Sequence, residues 1–333
     1  MFEAERPSVS ARTLAVYSAA LAVLLAVVGF VAYRELLHYE RRAVTHVPEG
    51  AGFAVRVDLE QLVLFEPIRR HLLALVERVS LSDEPPSSMT AGASGAVAPA
   101  VGRLARLREQ AGLNLGLDLR ELVVASFDGG DAWIVAAGGI FPSGDLLDRV
   151  AKVLAAEPRA RLRRQGALLL LGPGELALGR AADGVLVLGS SASAVERALI
   201  PSDAHRALGV GQQGAAAFAA LPSWLERGAS AAPGHVRGRL DYGDPFLLTL
   251  DLDGLAERDP RQALQRWLHI DAATFGADWG GERAVLARAE LSEQSPSQTV
   301  VTTTWQHAEV DHACRSLAAW LEARASHLGH EAH

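Results

Sequence analysis

Few side chains in this sequence could do chemistry, and each group has a plain structural alternative. Gly209-Val-Gly211-Gln-Gln-Gly214 matches the glycine spacing of a dinucleotide loop. That loop needs a buried strand before it, so that a helix N-terminus meets the pyrophosphate. His205-Arg-Ala-Leu208 precedes it instead, which favours a turn. Asp251-Leu-Asp253-Gly254 and Asp128-Gly-Gly-Asp131 offer oxygens, but neither continues into the spaced carboxylates and final Glu of a calcium loop. His327, His330 and His333 close the chain, with His307 and His312 upstream; Gly329 interrupts any shared helix face. Ser190 and Ser191 follow Gly189 without a nucleophile elbow, and they suit a helix cap. Cys314 falls in an amphipathic stretch, and His312, two residues away, faces elsewhere on a helix. No catalytic residue, cofactor or metal site is expected. Trp267, Trp279 and Trp305 are retained as candidates for a ligand groove, with Trp279 placed in a loop.

The elements that would position these residues follow from patterning. Phe53–Asp58 alternates apolar and polar residues, as a half-buried strand does. Leu62, Phe65, Ile68, Leu72, Leu75 and Val79 recur at helical spacing over 59–79, with Pro67 at a first turn or kink. Residues 80–100 are rich in Ser, Ala, Gly and Pro and read as a flexible linker. Strands are expected at 122–127 and 132–138 about the Asp128–Asp131 turn. Others are expected at 168–171, 176–178 and 184–188, then at 236–242 and 245–252, and finally at 284–291 and 299–305. Helices are expected from Pro142 to about 156, from the serines through Leu199, from Asp259-Pro260, and around Val310, Leu317, Trp320 and Leu321. Strand–strand–helix recurs about four times. That predicts an α+β fold: an N-terminal transmembrane helix, then antiparallel sheets with helices on one face.

The membrane signal lies at 13–33. These 21 residues carry no charge, contain Leu14, Leu21, Leu25 and Phe30, and are bracketed by Arg12 and Arg34. As a helix they would be about 31 Å long, close to a hydrocarbon core of about 30 Å. The length of the run and its bulky end favour an uncleaved anchor over the competing reading, a cleaved signal peptide, whose apolar core is shorter and followed by small residues. Flanking arginines number two before it and three after it, which does not decide orientation. The expected layout is a cytoplasmic tail at 1–12, the span at 13–33 and a helical stalk at 34–46. A first lobe at 47–200 and a connecting segment at 201–235 come next. A second lobe at 236–325 and a tail at 326–333 complete it.

Composition excludes several classes. There are 333 residues, 32 Lys+Arg against 39 Asp+Glu, and a net charge of −7, which argues against nucleic-acid binding. One Cys excludes a disulfide framework and a multi-Cys zinc site. With 49% hydrophobic and 21% charged residues the chain is not wholly disordered. Lys152 is the sole lysine, a bias that a GC-rich genome produces without selection on function.

Val47-Pro-Glu-Gly-Ala-Gly-Phe-Ala-Val-Arg-Val-Asp-Leu59, following an N-terminal apolar run, resembles the start of a bacterial family of membrane-anchored envelope proteins of unknown function. Residues 164–199 resemble its second signature: two strands before an Asp-Gly, then a strand into a Gly-Ser-Ser cap. Residues 115–122 are similar to its glycine–Asp–Leu element. The resemblance carries no catalytic residues. It implies a body outside the cytoplasmic membrane, in the periplasm, with another envelope protein as partner. A non-enzymatic binding or scaffold module is therefore expected. A hydrolase-like enzyme and a small-ligand or lipid binder remain as alternatives.

Overall fold

The computed structural model describes residues 39–63, 65–73, 106–142, 144–156, 161–172, 176–221, 234–254, 288–295, 298–312 and 314–316. Met1–Glu40 forms a unit of its own, and the architecture below is that of Arg41–His333. Among the described residues, twelve antiparallel strands form one sheet in the order β11-β12-β10-β9-β8-β1-β2-β3-β7-β6-β5-β4. In chain order they are β1 (Ala51–Asp58), β2 (Leu119–Phe127), β3 (Ala132–Gly139), β4 (Leu162–Gln165), β5 (Leu168–Leu171) and β6 (Leu176–Arg180). Then come β7 (Leu186–Gly189), β8 (Ala216–Ala220), β9 (His235–Asp241), β10 (Phe246–Asp253), β11 (Glu290–Ser295) and β12 (Gln298–Trp305). Among the α-helices are α1 (Leu59–Val63), α2 (Leu115–Asp118), α3 (Leu146–Ala155), α4 (Ala192–Ala198) and α5 (Ala204–Leu208).

Both faces of the sheet are covered, which the period-2 alternation of strand side chains makes possible. On one face, Ala54, Ala125, Ile134, Ala136, Ala177 and Val187 pack under α4 and the 3-10 turn Ala43–His46. On the other, Leu169 and Leu186 pack under α3 through Leu146, Val150 and Val153, while Val236, Leu250, Leu252 and Val301 form a further core. The apolar run of β5 is buried on both sides accordingly.

The expected architecture is corrected at several points. One continuous sheet replaces α+β lobes with helices on one face, since α3 and α4 lie on opposite faces. Residues 201–235, read as a connecting segment, supply β8, which pairs with both β1 and β9. Its Ala-rich sequence hid it: Ala216–Ala220 carries one large side chain. The end of the supposed stalk is a turn whose Ala43, Val44 and His46 are buried. The helix expected over 59–79 stops at Val63, and a π-helical segment, Ile68–Leu73, follows Pro67. Among the described residues no helix is long and apolar enough to cross a membrane. The run 13–33 and the linker 80–100 lie outside those residues, and the transmembrane helix is not retained as part of the fold.

Candidate functional site

The polar residues of β1 face the more buried side of the sheet. Arg56 is fully buried; its Nε donates to Glu121 Oε1 at 2.8 Å, its Nη2 to Asp58 Oδ2 at 3.2 Å and its Nη1 to the Gly214 carbonyl at 3.2 Å. Glu121 Oε2 accepts from the Ala43 amide at 2.8 Å, and Arg41 closes on Asp58 at 2.6 Å. A charge is tolerated in such a place only when paired and hydrogen-bonded, as these are. The cluster ties β1, β2, the Ala43–His46 turn and the loop before β8 together. It fixes the position of that loop.

His46 is also fully buried. Its Nδ1 meets the Ala198 carbonyl at 2.6 Å and its Nε2 meets Asp183 Oδ2 at 3.0 Å. Both partners accept: a neutral ring satisfies one of them, the protonated ring both.

The loop leads to a groove. Helix α5 ends at Gly209, whose φ of +87° is a left-handed cap. A Cβ there would lie 2.5 Å from Cδ of Arg237, so both the conformation and the room require glycine. The loop then runs over the face of β8–β10 that carries Arg237, Arg239, Thr249 and Asp251. The register places Arg237 opposite Asp251 and Arg239 opposite Thr249. Together they enclose about 570 Å³, lined by His205, Arg206, Gly209, Arg237, Arg239 and Asp251 among others.

Charges in the groove are paired. Arg237 Nη2 reaches Asp251 at 2.8 Å and Asp253 at 3.1 Å, Arg239 reaches Asp241 at 2.8 Å, and Arg206 reaches Asp203 at 3.2 Å. Two nitrogens are not. His205 is 1% exposed, and its Nδ1 donates to the Ser202 carbonyl at 3.2 Å. Burial is the main cause holding its pKa below the ordinary value, and Arg206 adds to that. The ring is neutral at neutral pH, so Nε2 presents a lone pair, and no protein group meets it. Nε of Arg237 is likewise buried without a partner.

Several expected sites resolve differently. The Gly209–Gly214 pattern joins a helix to a following strand, the reverse of a dinucleotide loop. Asp251 and Asp253 are engaged by Arg237. Ser191 Oγ caps α4, accepting from the Ala194 amide at 3.1 Å, and Ser190 Oγ accepts from the Trp133 amide at 3.1 Å. Cys314 is buried beside Phe65, Phe246 and Val310, and burial pushes its thiol up to about 11. Trp305 packs against that same cluster, while Trp267, Trp279, His327, His330 and His333 lie outside the described residues. Sequence reading missed the groove. Its signal was the two-residue spacing of Arg237/Arg239 and of Asp251/Asp253, which puts each pair on one sheet face.

No family model matches the chain, and no curated protein matches it. Solved structures similar to it include three crystal forms of TP0453. Form III aligns with a TM-score of 0.47 at 8% identity, over 84% of this chain and 97% of that one. Form I gives 0.42 at 9% identity, over 86% and 98%. Form IV gives 0.42 at 10% identity, over 86% and 97%. Likenesses this slight carry no argument about fold or activity.

Proposed function

We propose that this chain is a non-enzymatic binding module of the bacterial cell envelope whose ligand occupies the groove between α5, its following loop and β8–β10. The observation that carries the reading is the groove itself, about 570 Å³ lined by Arg206, Arg237, Arg239, Thr249 and Asp251 among others. The surrounding charges are locked in pairs, which suits recognition more than proton transfer.

The envelope location rests on the sequence resemblance of 47–59 and 164–199. A reporter fused after His333, active only outside the cytoplasmic membrane, is expected to be active; activity only of a cytoplasmic reporter would defeat that location. For the groove, native mass spectrometry of the gently purified full chain is expected to show a bound adduct. The adduct should be lost in His205→Phe with circular dichroism unchanged. An adduct indifferent to that substitution would contradict the site.

A further inference from the structure

Resting on the reading of the groove as a binding site, we propose that His205 is an acid-sensitive latch: on taking up a proton its ring leaves its buried place and releases α5 with the loop that walls the groove. His205 is central to that wall. Its Nδ1 donates back to the Ser202 carbonyl at 3.2 Å, and its own carbonyl accepts from the Val210 amide at 2.8 Å. Ser202 is in turn fastened to the body, its amide to the Thr45 carbonyl at 2.7 Å and its Oγ to the Val47 carbonyl at 2.9 Å. A helix of five residues has no stability of its own in water. Helix α5 is therefore held by what it buries: His205, Leu208 and, just past the cap, Val210.

The buried ring has no place for a second proton. Nε2 is buried, and among the described residues no hydrogen-bond partner meets it. In the neutral ring it is an unpaired acceptor; in the imidazolium it is an unpaired charged donor, which costs far more. Burial is the largest influence on the ring and holds its pKa below the ordinary 6.5, with Arg206 acting the same way. The Ser202 carbonyl, Asp203 and Glu121 pull in the other direction and do not overcome it. Helix α5 packs on β1 and on the Ala43–His46 turn, whose ionisable groups are engaged elsewhere. Arg56 holds Glu121 and Asp58, Arg41 holds Asp58, and His46 meets Asp183 and the Ala198 carbonyl. From β9, Arg237 holds Asp251 and Asp253, and Arg239 holds Asp241. His235, also on β9, meets the Leu208 carbonyl through Nε2 at 3.0 Å, with Asp253 3.8 Å from Nδ1. A proton on His235 strengthens its hold on the end of α5, so His235 opposes an acid release.

The released ring titrates at the ordinary 6.5 and the latched ring lower, so the latched form binds protons less readily and acid favours release. The opening equilibrium then rises by up to about tenfold for each pH unit below 6.5, until the latched ring itself takes a proton.

The test is amide hydrogen exchange of the full chain at pH 7.5 and 5.5, corrected for the intrinsic pH dependence of exchange, with native mass spectrometry at the same two pH values. Amides of residues 205–214 should open up to about tenfold more at pH 5.5, while those of β2 and β3 keep their protection. His205→Asn, whose side-chain amide can still bond the Ser202 carbonyl but takes up no proton, should lose that response; His235→Gln should keep it. In the unsubstituted chain the nitrogen-15 signals of the His205 ring should show the Nδ1–H tautomer at pH 7.5 and titrate over the same range as the exchange, a readout that stands even if His205→Asn does not fold. A response unchanged in His205→Asn, one lost in His235→Gln, one shared equally by β2 and β3, or none at all would overturn the latch. An adduct held at pH 7.5 and released at pH 5.5 supports latch and binding site together. Opening of 205–214 with no adduct at either pH supports the latch and defeats the binding reading alone.

Discussion

Glu121 shows how much one residue can hold here. It meets the buried Arg56 guanidinium and the Ala43 amide at once. Glu121→Ala would leave a fully buried cation short of its counter-charge. We expect a loss of about 3–5 kcal/mol by urea denaturation. The double variant Arg56→Met/Glu121→Leu should recover most of it, because the unpaired charge is gone. Cys314 makes a different prediction. Its buried, protonated thiol should resist a thiol reagent at pH 8 in the native protein and react at once in urea.

Acid sensitivity follows from three groups whose folded values lie below their ordinary ones. His205 is held down by burial, Asp311 by the hydrogen bond from His71 and then by that from Arg315, and Glu309 by Arg288. In each case the folded protein binds the proton less readily than the unfolded chain. Their stabilisation is thus present at neutral pH and lost as pH falls. The urea midpoint should decline first below the ordinary histidine value of 6.5, then again below those of Glu309 and Asp311, 4.5 and 3.8. A midpoint flat from pH 7 to 3 would contradict these assignments.

Among the elements, β8 and β9 depend on a glycine under an aromatic ring. Phe218 lies opposite Gly238, and a Cβ there would fall 2.1 Å from the ring. Gly238→Val should cost about 1–3 kcal/mol from overpacking, read as a lowered thermal midpoint, even though valine is the better strand former. At the sheet edge, exposed Arg163 and Arg164 on β4 place charge where a bare strand would invite pairing. Legibility divided along these lines. Hairpins with a glycine-containing turn and alternating apolar residues were readable: β3, β9 and β10 within one residue, and β2 except for its first three residues. β8 was not, since alanine carries almost no period-2 signal. Nor was β4, whose Leu-Arg-Arg-Gln is three-quarters polar. The burial of Arg56 and Asp58 was hidden for another reason. Alternation says that two faces differ, and only the distant partners Glu121, Ala43 and Gly214 say which face is closed.

At the scale of the whole molecule, recurring strand–strand–helix units suggested lobes, but their strands join one sheet. Local pattern cannot count sheets, because β1 pairs with β8, far along the chain. That pairing is also what builds the groove: it brings the loop after α5 against Arg237 and Arg239. The site was therefore illegible as a site, although the Gly209–Gly214 loop stood out as a motif. The most direct test of the binding reading is photo-crosslinking in cells from a photoreactive residue at position 239, half-exposed on the groove wall. The account predicts a discrete crosslinked product that His205→Phe suppresses without loss of folded protein. No product, or one unaffected by that substitution, would contradict it.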